Sequence, residues 1–459
     1  MARQGTSALV PLAIVIAIAT AIAFLTTGCS QKGADPAPAV GNAVTSPGPV
    51  NDVPFGPPRP PPLDRPLRVI VGGDLLPHRP SLIAPAAIHA ALAPLASLFA
   101  KADAVVANYE AATGDVDSKA FRLAYAAPRG WLEELPKAGI RAVTVANNHA
   151  CDLGEAGLEA TLDSASKSGL LALGADAADP WAPRVIVEQN GKRICAVAWT
   201  TLSNSEGGCS RSRRLAFAPL SFAGKQRIDR ALARARTHCD ATIAIFHGGD
   251  EYAPQTSQVI DQAGHAAEAG ADVVVIHHPH IASPVVVHGT KDGRNVPIFA
   301  SVGNLVTNQG ESWKPPMFPV LRENRHLVCV NGWTRLGVLA DLSFTFDAGD
   351  KRPRLDWGMH LLWIDNEHAE DRTAVTPKIE ARLLDPTRDR AIVDKLSQDA
   401  RGPVALFSDP CWFERESGAT ATARDARCES VVGAAPAGTA DAAAAGRAPP
   451  KRATSRRKK

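Results

Sequence analysis

A chain of 459 residues that is 45% apolar and 21% charged can bury an ample core, which excludes a wholly disordered protein. Its formal charge of +3 is a poor guide to partners, because seven Lys and Arg crowd into residues 431–459 against Asp441 alone. The remainder is slightly acidic, which excludes a broad basic face and argues against nucleic acid as a partner.

In chain order, Arg3 is followed by an uncharged apolar run from Ser7 to Leu25 and then by Thr26-Thr27-Gly28-Cys29. This is the layout of an export signal, and small residues directly before a cysteine suit a lipobox. Residues 1–28 then form a lipoprotein signal peptide, and Cys29 is the lipidation site. The run is also nearly long enough to span a bilayer, so an uncleaved signal anchor is the alternative. Both readings give the chain a membrane partner at its N-terminus and place its bulk in the cell envelope, outside the cytoplasm. Residues 29–65, rich in Pro, Gly, Ala and Val, read as a tether. No Cys-x-x-Cys pair occurs, so a cysteine zinc site is not expected. Spacing leaves disulfide connectivity open, with Cys411 and Cys428, which flank a polar loop, as one candidate pair.

Residues 66–415 alternate short apolar runs with helical patterns, the signature of an α/β domain. Strands are expected at Leu67–Gly72, Ala104–Ala107 and Ala142–Val145. Helices are expected at Ile83–Phe99, Trp131–Ala138 and Glu155–Lys167. Gln189-Asn190-Gly191 separates two apolar runs, Arg184–Val187 and Arg193–Trp199, and signals a hairpin, so the sheets are mixed. An irregular Gly, Ser and Arg-rich loop spans Ser203 to Arg214. Helices at Lys225–Ala235 and Ser257–Ala269 then alternate with strands at Thr242–Phe246 and Val273–Ile276, and two more strands, Pro284–Val287 and Ile298–Val302, lead into Gly303-Asn304. Residues 430–459 read as a disordered basic tail.

Polar residues collect where these strands end, and in an open α/β sheet such ends face a common crevice. Asp74, Glu110, Asn148, His149, His247, His278 and His280 all stand there. Taken singly, a Gly-Asp is a turn, an Asn-Asn is a loop and a lone His is structural. His278-Pro279-His280 is stronger, because two imidazoles two apart in an extended segment can aim at one ion. Oxygen donors mixed with imidazoles suit a first-row dication such as Mn²⁺, Fe²⁺ or Zn²⁺. A carboxylate that bridges two such ions holds them about 3.5–4 Å apart.

Several motifs together resemble the CapA family of capsule and poly-γ-glutamate synthesis proteins, in order and spacing, over roughly residues 67–345. They are Gly73-Asp74, Asn108-Tyr109-Glu110, Ala146-Asn147-Asn148-His149 with Asp152 and Gly154, His247-Gly248-Gly249-Asp250-Glu251-Tyr252, Gly270-Ala271-Asp272 with His278-Pro279-His280, and Ser301-Val302-Gly303-Asn304. That family is similar to the calcineurin-like metallophosphatases. The resemblance implies a four-layer αββα sandwich with mixed sheets and two divalent metal ions. Asp74 and His280 would hold the first ion, Glu110 would bridge, and Asn148, His247 and His278 would hold the second. His149 would serve as general acid, oriented by Asp152. In place of the phosphatases' Asp-x-His the chain has Asp74-Leu75-Leu76, one imidazole fewer unless His78 folds back. Gly248 and Ile276 replace the usual Trp and Gly of CapA relatives.

The implied role is synthesis, release or export of an anionic surface polymer, with that polymer and the proteins that make or export it as partners. A metal-dependent phosphoester hydrolase and a non-catalytic envelope scaffold are the alternatives.

Overall fold

The computed structural model describes residues 65–392, apart from 78–79, 115–124, 205–208, 210–211, 254, 314–327, 348–351, 368–377 and 386–387. The expected signal peptide, Cys29, nearly all of the tether, His78, Cys411, Cys428 and the basic tail lie outside the described residues. Among the described residues no helix is long and apolar enough to cross a membrane.

Period-two burial sorts the side chains into layers. Along β1 (Leu67–Leu75), Val69 and Val71 point to one side and Ile70 to the other, and all three are fully buried. A strand covered on both faces has to be apolar throughout, which is why the run reads as continuous rather than alternating. Beside β1 lie β2 (Ala104–Tyr109), then β5 (Ala142–Thr144) and β6 (Leu171–Leu173), all parallel. Between β2 and β5 the chain forms a small two-stranded sheet of β3 (Ala112–Thr113) and β4 (Ala126–Ala127).

The second sheet starts with the hairpin of β7 (Arg184–Gln189) and β8 (Lys192–Thr200). Its turn residues Asn190 and Gly191 both have positive φ, as the sequence signal predicts. β9 (Ala241–His247), β10 (Val273–His277) and β12 (Asn295–Phe299) continue it in parallel, and β11 (Val285–Gly289) closes it antiparallel to β12.

The inner faces of the two sheets meet: Val69, Val71, Val106 and Ala142 from the first pack in one cluster with Ile194, Ile243, Ile245, Val273 and Val275 from the second. On the outside of the first sheet, α1 (Pro85–Leu92) and α2 (Gly154–Lys167) bury Ile88, Leu92 and Leu158 against Ile70, Val105 and Val143. On the outside of the second, α3 (Phe222–His238) and α4 (Ser257–Ala269) bury Ile228, Leu232, Val259 and Ala263 against Trp199, Phe246, Val274 and Ile276. The result is the αββα sandwich with mixed sheets that the resemblance implies.

Three details differ from the sequence reading. The expected helix Ile83–Phe99 is broken, because Ala84, which precedes Pro85, is extended at φ −66°, ψ 130°, and Pro94 lies in a 3₁₀ turn. The expected helix Trp131–Ala138 is a 3₁₀ turn at Arg129–Trp131 and a single helical turn at Glu134–Lys137. Beyond the short β13 (Asn304–Val306), which pairs with β1, three antiparallel strands complete the first sheet: β14 (Leu336–Thr345), β15 (Arg354–Asn366) and β16 (Ile379–Leu383). Among the described residues two disulfides are present, Cys151–Cys209 and Cys195–Cys239.

Candidate metal centre

The carboxyl ends of β1, β2, β5, β9 and β10 deliver the predicted side chains to one place. Asp74 is aimed by a register shift in β1, and its N–H donates to Gly303 O at 3.0 Å. The preceding residue has to be glycine, since a Cβ on Gly73 would lie 2.1 Å from that same carbonyl oxygen. Glu110 directly follows β2, and His247 is the last residue of β9. His278 and His280 flank Pro279 with φ of 105° and 57°, backbone states that cost side-chain-bearing residues on the order of 1–3 kcal/mol each. Strain of that kind persists only where the surrounding structure holds it, and here it turns two imidazoles inward.

Donor atoms fall into two groups that share Glu110. One is Glu110, His247 and His278, the other Asp74, Glu110 and His280, with the donor atoms in each within 4.8 Å of one another. In the first, His247 Nε2 lies 2.8 Å from Asn148 Oδ1, 3.1 Å from His278 Nδ1 and 3.5 Å from Glu110 Oε1. In the second, His280 Nδ1 lies 3.2 Å from Asp74 Oδ2, and His280 Nε2 lies 3.7 Å from Glu110 Oε1. Ligands about 2.1 Å from one dication are themselves about 3.0–3.4 Å apart in octahedral or tetrahedral geometry, so the spacing suits a shared ion. All six predicted ligands are therefore brought together.

The electrostatics point the same way. Asp74 and Glu110 are fully buried, and among the described residues Asp74 Oδ2 and both oxygens of Glu110 have no hydrogen-bond partner. Burial, then Asp74 and Glu251, push the Glu110 carboxyl well above the usual carboxylate range. Burial also opposes ionisation of Asp74, but His280, His277 and Asn108 more than offset it and hold its pKa below the ordinary value. Burial, with the other histidines adding to it, drives His247 well below its ordinary value and His278 down to about 3. Both rings are neutral at physiological pH and present lone pairs. Neutral imidazoles facing buried carboxylate oxygens that accept no hydrogen bond make a donor set for cations.

Around this set stand residues to which the sequence reading assigned no role. Asn108 Nδ2 donates to Asp74 Oδ1 at 2.8 Å, while its Oδ1 accepts from Thr144 Oγ1 at 2.7 Å. Asn304 Oδ1 lies 3.0 Å from His280 Nδ1; donation from that nitrogen leaves the Nε2 lone pair facing Glu110. His277 Nε2 donates to Gly72 O at 2.9 Å, which ties β10 to β1 across the two sheets. Asn108 and Asn304 are visible as polar strand-end residues, but only the packing shows what they orient.

His149 and Asp152 lie beside the donors on the loop after β5. His149 Nδ1 is 2.7 Å from Asp152 Oδ2, and because a carboxylate only accepts, the ring carries its proton on Nδ1. Asp152 also accepts from Tyr125 N at 2.8 Å, and the Tyr125 ring lies 4.1 Å from the imidazole, centre to centre. The predicted pair is thus assembled, with His149 Nε2 on the side of the ring away from Asp152. A side chain at position 248 would not fit unaltered, since a Cβ there would lie 2.2 Å from Thr201 Oγ1.

The same stretch of chain is similar to known proteins. The profile of a family described as bacterial capsule synthesis protein PGA_cap matches residues 68–309, a span that contains every residue of the site. The chain is 32% identical over 168 residues to the PGA biosynthesis protein CapA of Bacillus subtilis (strain 168), covering 36% of this chain and 42% of that protein. It is 25% identical over 181 residues to the capsule biosynthesis protein CapA of Bacillus anthracis, covering 39% and 43%. The matches span less than half the length of either relative.

Proposed function

Because the chain belongs to the bacterial capsule synthesis protein family PGA_cap, we propose that it acts in the synthesis, release or export of an anionic surface polymer of the capsule or poly-γ-glutamate class, using a divalent-metal site. The observation that carries the metal part of this reading is the set of buried carboxylate oxygens that accept no hydrogen bond, on Asp74 and Glu110, beside the neutral rings of His247 and His278. Asp74 and His280 would hold one Mn²⁺, Fe²⁺ or Zn²⁺, Asn148, His247 and His278 a second, and Glu110 would touch both. Bound there, such ions would supply positive charge to a scissile bond and bring water to hydroxide near neutral pH.

The chain's own side chains account for the rest. Asn108 and Asn304 orient Asp74 and His280. Asp152 fixes the imidazole of His149, so that once Nε2 is protonated it can hand that proton to a leaving oxygen. This pairing is the specific observation in favour of hydrolysis, and it makes phosphoester cleavage the second reading. The N-terminal reading adds that Cys29 carries lipid and that the domain faces the envelope space, and the family reading adds polymer-synthesis or export proteins as partners.

Elemental analysis of the purified chain, melting with and without chelator, and turnover of an aryl phosphate with added Mn²⁺ test these readings together. Bound dication with chelator-sensitive melting is expected. Turnover lost in His149→Ala would establish the hydrolase, whereas a chain that holds no dication and melts identically in chelator would act as a scaffold, and the metal reading would be wrong.

A further inference from the structure

One contact of His149 comes from outside its own loop. The chain leaving β8 runs through Thr201 to Asn204, where Asn204 N donates to Asn148 O at 3.1 Å and Asn204 Nδ2 lies 3.4 Å from His149 Nε2. With Nδ1 donating to Asp152, Nε2 of the neutral ring is the imine nitrogen and can only accept. The amide N–H of Asn204 is a donor that matches it; the carbonyl end turned the other way would set two lone pairs against each other. Asn204 is solvent-exposed, so burial does not hold it in place.

What can hold it is covalent. Cys151, two residues after His149, is bridged to Cys209, five residues after Asn204, and both cysteines are buried. The bridge therefore joins the two loops that meet at the imidazole. The second bridge lies elsewhere: Cys195 is in the first half of β8, in register with Thr242 at the start of β9, five positions before His247. The geometry assigns Asn204 as a positioning residue for His149, with the Cys151–Cys209 bridge as the clamp that keeps the two loops in contact. The assignment deepens the role proposed above for His149 and rests on it. It also makes an oxidising compartment a condition for an aligned site, since the thiols would otherwise stay reduced.

The full chain, loaded with Zn²⁺, is compared with Asn204→Ala, with the double variant Cys151→Ala and Cys209→Ala, and with the control Cys195→Ala and Cys239→Ala. Nitrogen-15 spectra of the histidine rings read the Nε2 contact, and amide hydrogen exchange reads the Asn204 N–H. In Asn204→Ala the Nε2 resonance of His149 should move downfield, as for an imine nitrogen that has lost its donor, while metal content stays that of the unmodified chain. The Cys151/Cys209 variant should show the same movement together with about tenfold or faster exchange at Asn204. The Cys195/Cys239 control should melt lower yet leave both readings in place. If the Cys151/Cys209 variant does not fold, mild reduction of the native chain gives the same measurement. An unmoved Nε2 in Asn204→Ala, an Asn204 amide equally protected without the bridge, or equal changes in the control would overturn the assignment. Should the unmodified chain take up no Zn²⁺ while these responses appear, the metal reading fails and the positioning of His149 stands.

Discussion

Replacing Glu110 by Gln separates two demands made on one position. Without metal, the Glu110 carboxyl is buried beside Asp74, with Glu251 and Asp152 adding negative charge, and its pKa is driven well above 4.5. A group raised on folding takes up a proton as the chain folds. Its contribution is fully present below the unfolded value and is lost as pH rises through the folded one. Gln copies the protonated acid and does not ionise. In chelator, Glu110→Gln should therefore melt no lower than the unmodified chain, and its advantage should widen as pH rises from about 5 to 8.

With metal present the order reverses. Binding to the folded state alone adds RT ln(1 + [L]/Kd), about 2.7 kcal/mol at a hundredfold excess of free metal. For a folded region of this size an unfolding entropy of about 0.7 kcal/mol per K turns that into a rise of about 4 °C. The unmodified chain should gain that rise on addition of Mn²⁺ or Zn²⁺, and Glu110→Gln should gain almost none. Differential scanning calorimetry at several pH values, with chelator and with metal, reads both effects. Equal metal-induced shifts in the two proteins, or a Gln variant that melts several degrees lower in chelator, would refute the reasoning that Glu110 is a metal-bridging acid.

Three further expectations follow from other parts of the molecule. His278→Ala should lose bound metal by elemental analysis and become indifferent to chelator, whereas His288→Ala, a control on β11 that pairs with Glu268, should behave as the unmodified chain. Burial raises Asp341, but Arg68 and His360 more than offset this and hold it at about 2, so its stabilisation is present above pH 3.8 and is lost as pH falls through about 2. Asp341→Asn should thus cost about 2 kcal/mol at pH 7, read by denaturant titration, with the difference vanishing toward pH 2. Cys29→Ala should abolish incorporation of labelled fatty acid; labelling equal to that of the unmodified chain would show that Cys29 is not the lipidated residue.

Much of the fold is readable because burial writes a period into the chain. Strands covered on both faces give short apolar runs, and α3 and α4 give amphipathic repeats, so these elements appear in the sequence near their true limits. Ile83–Phe99 misleads because its Ala-rich stretch carries high helix propensity, while Pro85 and Pro94 act locally to break it. The sequence reading places no strands at β14 to β16. They follow the last motif and carry no strand-end chemistry, so only the first sheet's need for antiparallel partners beside β1 shows where they go.

For the site, residue type and position at strand ends are enough to nominate Asp74, Glu110, Asn148, His149, His247, His278 and His280, because side chains able to bind cations are costly to bury and so stand out where apolar strands end, whereas Asp152 enters only through the family resemblance. Residue type and position alone leave open how those side chains divide into two donor groups around Glu110, which only the family resemblance implies, and neither shows that Asn108, Asn304 and Asn204 aim them. The same holds for the bridge between Cys151 and Cys209, 58 residues apart along the chain. Each of these depends on distances between strands remote in sequence, and only packing the two sheets face to face sets those distances.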